Sequence, residues 1–138
     1  MDCGGRMPHL SFEYSPDLDT RIDMQAFAAL LRDAMVETGL FPLGGIRVRG
    51  LRCAVVEIAD GAEAYGFIDM VLRIGEGRSP QQRAMAAEQV YAAAETFLRA
   101  RLGALPFMLS LEIREIVTEF SIRRYSTVHA AVSARAGA

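Results

Sequence analysis

Residues 74–82, with the sequence IGEGRSPQQ, mark a sharp transition from a strand to a helix. The glycines in this stretch interrupt an apolar run over residues 67–74 that is typical of a β-strand. Ser79 is a favoured N-cap, Pro80 suits the first helical position, and Gln82 completes a capping box with the serine. The stretch therefore predicts a strand followed directly by a well-capped helix.

The chain beyond this helix start completes one β-α-β unit. Apolar residues recur at helical spacing to about Leu102, and Gly103 can end the helix. Residues 106–117 then alternate between apolar and polar side chains, as a half-buried strand does. Because crossover connections are right-handed, we expect the two strands of this unit to be parallel.

A similar unit lies before it in the chain. Residues 9–14 alternate like a half-buried strand, and a helix follows with Asp23 as its N-cap and Gly39 at its end. The segment 46–58 is rich in Val, Ile and Leu and predicts a second strand, with Gly50 as a point where it can break. The first half of the chain is therefore also predicted to be a β-α-β unit.

Together the two halves predict an α+β two-layer fold made of two fused β-α-β units. The pseudo-repeats cover about 8–59 and 64–117, and we expect a single domain over 8–132. Its four main strands share one sheet, with two helices on one face. The sequence leaves the pairing between the units open, and self-association could cover the sheet edges.

The two ends of the chain are expected to differ from this domain. Residues 1–7 form a leader that we expect to be absent from the working protein. The tail over 118–132 is predicted to add a short strand or an arm that reaches a neighbouring chain. Residues 133–138 are predicted to be disordered.

Composition narrows the possible functions. The chain has 138 residues, of which 51% are hydrophobic, so it can form one sizeable core. Its 15 basic and 17 acidic residues are interspersed, and the net charge of -2 argues against general attraction to nucleic acid or an anionic membrane. No apolar run approaches the roughly 20 residues that span a bilayer, and no secretory pattern is present. We therefore expect a cytoplasmic protein.

The sequence predicts no metal site. Cys3 and Cys53 lie in unlike contexts, a glycine-rich leader and a predicted strand, so we expect reduced, non-catalytic thiols. His9 and His129 are separated by most of the chain, and no His, Cys and carboxylate cluster has metal-ligand spacing. No serine or cysteine lies in a recognised nucleophile motif.

Pro8 is a candidate base because it follows a methionine that can be removed. A chain translated from Met7 would then begin with proline, whose secondary amine can accept a proton near neutral pH if nearby cations lower its pKa. The alternative is a proline that merely starts a strand, where proline is tolerated. If the leader is retained, the proline nitrogen is an amide and is not basic.

Arginines are the candidate anion-binding residues. Arg47 follows two glycines at the start of a predicted strand, where its guanidinium could bind a carboxylate with two hydrogen bonds. Arg49, which shares its face, and Arg52 are alternatives to it. Arg78 directly precedes the capped helix, so its side chain and the first-turn N–H groups could converge on one anion. Each arginine could equally be a solvated surface residue.

Glu13 lies on the first predicted strand and is a candidate for a second acid or base. It could equally be an exposed strand carboxylate without a catalytic role. His9 lies on the same face of that strand, and the sequence leaves its role open as well.

Three separated motifs together resemble one known family. They are Met7-Pro8-His9, residues 39–47 (GLFPLGGIR) and residues 74–79 (IGEGRS). These motifs and their order resemble those of the 5-carboxymethyl-2-hydroxymuconate isomerase family, which belongs to the tautomerase superfamily. The resemblance covers about residues 7–132. The chain departs from the family pattern in the six residues before Met7 and in the basic tail sequence over 123–126.

The resemblance implies a mechanism and an assembly. It implies that Pro8 is the amino-terminal catalytic base and that Arg47 and Arg78 bind the substrate. The family reaction is a keto–enol tautomerisation of a small carboxylated enol, in the degradation of homoprotocatechuate and related aromatic acids. It uses no metal or organic cofactor, and the family forms homotrimers.

The sequence leaves two alternatives open. One is a tautomerase that acts on another carboxylated enol, because a fold and a terminal proline do not determine the substrate. The other applies if the leader is retained, which would leave a trimeric anion-binding module without a base.

Overall fold

A computed structural model describes residues 7–62 and 64–137 of the protein. The described residues form four strands, β1 (His9–Tyr14), β2 (Arg47–Arg52), β3 (Gly66–Gly75) and β4 (Phe107–Ile116). They also form three α-helices, α1 (Met24–Glu37), α2 (Pro80–Leu102) and α3 (Val128–Gly137). Short 3₁₀ turns cover Pro16–Thr20, Leu43–Gly45 and Thr118–Phe120.

The strands form one mixed sheet in the order β2-β1-β3-β4. β1 is parallel to β2 and β3 is parallel to β4, which confirms the two predicted β-α-β units. The pairing that the sequence left open is antiparallel and joins β1 to β3, with His9 opposite Arg73. As a result, β1 and β2 begin at the same end of the sheet at which β3 and β4 end.

The core lies between the sheet and the helices α1 and α2. The predicted alternation places Leu10, Phe12 and Tyr14 of β1 in this core, and Phe12 packs edge-on against Phe27 of α1 with ring centroids 5.1 Å apart. Each fully buried side chain of this size contributes about 1.5–3 kcal/mol of transfer free energy. We call the side of the sheet that faces α1 and α2 the covered face, and the opposite side the open face.

Both predicted helix starts are confirmed. The Asp23 carboxylate accepts hydrogen bonds from the first turn of α1, and Ser79 and Gln82 form the predicted capping box on α2. Gly103 follows α2 with a positive φ of 59°, a backbone conformation that favours glycine. The α+β two-layer architecture predicted from these signals is therefore the observed one.

The strand predicted over 46–58 is shorter than expected, since β2 ends at Arg52. The last backbone bond to β1 runs from the Cys53 N–H to the Tyr14 oxygen, and beyond Tyr14 the chain turns into a 3₁₀ segment. Among the residues that the structure describes, no neighbouring strand therefore pairs with 53–58. Gly50 does not break the strand. Its missing side chain leaves room for the ring of Phe12, which packs against the backbone there.

The tail also differs from expectation. Residues 128–137 form α3, so the prediction of disorder is wrong for 133–137, and residues 128–132 do not form a strand. The segment is rich in alanine, which has the highest helix propensity. α3 lies against Gly44, where an added Cβ would sit 2.5 Å from Nδ1 of His129. Ala138 and leader residues 1–6 lie outside the described residues.

Candidate active site

The predicted base and the first predicted arginine are neighbours at one end of the sheet. Pro8 is buried and immediately precedes β1. Its carbonyl oxygen accepts a hydrogen bond of 3.2 Å from the backbone N–H of Arg47, at the start of β2. The parallel pairing of β1 with β2 therefore brings together two residues that are far apart in sequence.

His9 lies directly opposite Arg47 on the open face. A distance of 3.1 Å separates Nε2 of His9 from Nη1 of Arg47, and 3.5 Å separates Nδ1 of His9 from Nη1 of Arg49. The prediction that Arg47 and Arg49 share a face is therefore confirmed. The imidazole lies between two guanidinium groups.

The open face carries a concentration of positive charge at this end, which we call the arginine cluster: Arg47, Arg49, Arg73 and Arg123. Burial lowers the pKa of Arg47, and the neighbouring charges of Arg123, Arg49 and Arg73 lower this pKa further. In the part of the chain that the structure describes, none of the four arginines forms an ion pair with a carboxylate. The cluster therefore has the charge to bind an anion.

Arg123 has a further property that favours an anion. Its Nε is buried and, among residues 7–62 and 64–137, has no hydrogen-bond partner. A buried donor without an acceptor costs about 1–3 kcal/mol. An anionic oxygen bound at this end of the sheet could recover that cost.

The same charges act on His9. Its pKa is lowered from 6.5 to about 4, first by burial and then by the positive charges of Arg47, Arg73 and Arg49. His9 is consequently neutral at physiological pH, so the cluster gains no fifth positive charge.

Arg78 is held by the loop that leads to β2. Its guanidinium donates to the carbonyl oxygen of Leu40 at 2.9 Å and to that of Gly75 at 3.3 Å, and it lies over the ring of Phe41, 5.0 Å from the centroid. These contacts point toward the loop and the end of β3, whereas the sequence suggested convergence with the first turn of α2. Arg78 thus fastens the segment that ends at Arg47.

Two other candidates lie in different places. Glu13 is exposed on β1, four residues beyond His9 and thus about 13 Å along the strand from it. Arg52 forms an ion pair with Asp19 at 3.0 Å, which gives it a structural contact away from the cluster. The structure therefore does not bring Glu13 or Arg52 together with Pro8 and Arg47.

Sequence reasoning missed Arg73 and Arg123 as members of the cluster. Arg73 alternates out of the core of β3, but its position beside His9 follows only from the antiparallel register between the two units. Arg123 follows β4 in the tail, and its basic neighbourhood was the one available signal.

No group of three or more His, Cys, Asp or Glu side chains suited to a metal ion occurs among the described residues. Cys53 forms no disulfide within the same part of the chain, and Cys3 lies outside it. None of the described helices is both long enough and apolar enough to cross a membrane.

Comparison with known proteins gives the family. The model of the 5-carboxymethyl-2-hydroxymuconate isomerase family matches residues 8–132. The chain belongs to this family. It is therefore an isomerase, and its match begins at Pro8. A 5-carboxymethyl-2-hydroxymuconate Delta-isomerase from Escherichia coli is 32% identical over 124 residues, which cover 90% of this chain and 98% of the relative.

Solved structures agree with this assignment. A crystal structure of a 5-carboxymethyl-2-hydroxymuconate delta-isomerase superposes with a TM-score of 0.85 at 32% identity, covering 93% of this isomerase and 94% of that chain. An isomerase structure from Deinococcus radiodurans R1 gives 0.83 at 28% identity, covering 93% and 96%. A member of the cis-3-chloroacrylic acid dehalogenase family, at 19% identity and a TM-score of 0.57 over 84% and 80%, shares the tautomerase-superfamily fold.

Proposed function

We propose that this isomerase catalyses the keto–enol tautomerisation of 5-carboxymethyl-2-hydroxymuconate without a cofactor, in the degradation of homoprotocatechuate and 4-hydroxyphenylacetate. The observation that carries the proposal is the arginine cluster beside Pro8. It offers several positive charges, unpaired within the described chain, to a substrate that carries several carboxylates. The family membership supplies the reaction class.

Pro8 is the proposed base, and this role requires a free amine. With Met7 attached, the nitrogen of Pro8 is an amide; a chain that begins at Pro8 has a secondary amine there instead. Met7 is only 6% exposed. Its removal would therefore open a recess next to the amine, at the end of the sheet where the cluster lies.

The arginine cluster would also lower the pKa of this amine. An ordinary α-amino group titrates at about 7.7–8.0, and both burial and nearby positive charge disfavour the ammonium form. Pro8 is buried and adjoins Arg47. Its pKa is therefore expected to fall toward neutrality, where an amine can accept a proton from the substrate.

Arg47 and Arg78 are the proposed substrate-binding residues. Arg47 would hold a substrate carboxylate, and the charges beside it would stabilise the negative dienolate that forms when Pro8 removes a proton. Arg78 would supply a second positive charge at the same end of the sheet while fastening the loop before Arg47. The proton then returns to another position of the conjugated system, so the reaction needs no external acid, base or metal.

We further propose that the enzyme acts as a cytoplasmic homotrimer. Within the described parts of the chain, no further strand pairs with the outer sides of the edge strands β2 and β4. The tail exposes apolar side chains at Phe120, Ile122 and Tyr125, which are 76–90% exposed. Neighbouring copies of the chain could cover both features.

A panel of 2-hydroxymuconates tests this function. The Pro8→Ala variant should lower kcat/KM for 5-carboxymethyl-2-hydroxymuconate by roughly 10²–10⁴-fold, because general base catalysis is lost or weakened. Its thermal unfolding and its sedimentation should match those of the unchanged enzyme. Unreduced turnover in Pro8→Ala would refute the mechanism. Faster turnover of another enol would favour a different tautomerase substrate.

A further inference from the structure

We propose that His9 is a positioning residue, which holds the guanidinium of Arg47 in place for the substrate through a hydrogen bond to Nε2 of its imidazole. This inference rests on the proposed substrate-binding role of Arg47. His9 itself need not touch the substrate.

The geometry determines the direction of the hydrogen bond. Arginine carries only donors, so an arginine N–H that lies 3.1 Å from Nε2 requires this nitrogen to be an unprotonated acceptor. The single proton of the neutral ring is then on Nδ1. Nη1 of Arg49 lies 3.5 Å from Nδ1, and it meets a ring nitrogen that has no lone pair to offer. His9 therefore binds Arg47 and not Arg49.

Arg47 needs such an acceptor because of its neighbours. Arg49, Arg73 and Arg123 repel its positive charge, and a long arginine side chain has many rotamers in which it could move away from them. A carboxylate at position 9 would also hold the guanidinium, but it would neutralise the positive charge of Arg47 that is proposed to bind a substrate carboxylate. A neutral imidazole fixes Arg47 and leaves its charge available.

The charges around His9 keep the acceptor in its working form. Arg47 and Arg49 face it from β2, and Arg73 faces it from β3. Together with burial they lower its pKa to about 4. The hydrogen bond to Arg47 therefore persists through the physiological range and is lost only when the imidazole is protonated in acid.

Three substitutions, made in an enzyme that begins at Pro8, separate this role from a purely structural one. In His9→Gln the amide oxygen can reach the position of Nε2, whereas in His9→Asn it reaches only that of Nδ1. His9→Phe keeps a ring without an acceptor. We expect His9→Asn and His9→Phe to raise KM roughly tenfold or more and to change kcat little. An increase of this size is typical of the loss of a hydrogen bond to a charged group.

His9→Gln should restore KM to within about twofold of the unchanged enzyme, because its acceptor lies where Nε2 was. Ser11→Ala, two residues along the same face of β1, is the matched control and should leave KM unchanged. The positioning role is refuted if His9→Gln raises KM as much as His9→Phe does. It is also refuted if His9→Asn and His9→Phe keep the KM of the unchanged enzyme.

A second measurement does not depend on activity. Nitrogen NMR of labelled His9 should show a neutral ring with its proton on Nδ1, and Arg47→Ala should shift the Nε2 resonance while Arg49→Ala shifts it far less. A proton on Nε2 would overturn the inference. The NMR experiment needs no substrate, so it tests the role of His9 separately from the proposed reaction. If the proposed reaction is wrong, the unchanged enzyme will not turn over the substrate, but the NMR result will be the same.

Discussion

The two faces of the sheet have opposite chemistry, although the same four strands form both. On the covered face, Leu10, Phe12 and Met70 are almost fully buried against the helices. On the open face, one end holds His9 together with the arginine cluster. Because side chains alternate along a strand, one set of them can stabilise the fold while the other set is available for binding.

The covered face should tolerate change least. Phe12→Ala removes a ring that packs against both Phe27 and the backbone of Gly50, and should lower the free energy of unfolding by about 3–5 kcal/mol. Urea denaturation measures this loss. Arg49→Gln, on the open face, should change stability by far less. Equal losses in the two variants would contradict the division between the faces.

On the open face, we expect a substitution that weakens substrate binding to stabilise the fold. Arg123→Met removes the buried Nε donor, which has no partner among the described residues, and a like charge beside Arg47, so the unfolding midpoint should rise. Substrate binding should weaken on the order of tenfold, since an anion contact is lost. Arg124→Met is the matched control: the side chain of Arg124 is exposed, so this change should affect neither quantity. A fall in stability together with unchanged binding would remove Arg123 from the site.

The smallest expected effect concerns pH. The pKa of His9 is about 4 in the folded protein and 6.5 in the unfolded chain, so the unfolded chain binds more protons between these values. The contribution of His9 to stability is therefore present above 6.5 and is lost as the pH falls toward 4. Denaturation midpoints should fall more steeply over this range in the unchanged enzyme than in His9→Gln. Parallel curves would show that His9 is not held neutral.

These two faces also explain what the sequence could and could not reveal. The capping box at Ser79 and the alternation in 9–14 are local signals, and both predicted the observed elements. The end of β2 at Arg52 depends on where its neighbour β1 stops, which no local pattern shows. The helix over 128–137 was not predicted: residues 128–132 were expected in a strand or arm and residues 133–137 in a disordered end, although alanine favours a helix.

The residues of the proposed site were predictable to a similar degree. Pro8 and Arg47 were singled out from their positions and from the family motifs, and the structure places them side by side. Arg73 and Arg123 were missed, because their place beside Arg47 depends on the pairing between the two units and on the path of the tail.

The proposed mechanism requires that Pro8 act as a base through a free amino terminus beside the arginine cluster. The most direct measurement compares two forms of the protein, each verified by intact mass, one beginning at Pro8 and one retaining residues 1–7, for turnover of 5-carboxymethyl-2-hydroxymuconate. We predict rapid turnover by the first form and a loss of roughly 10²–10⁴-fold in the second, because the amide nitrogen cannot accept the proton. Equal turnover by both forms would contradict a role for the free amine of Pro8 as the base.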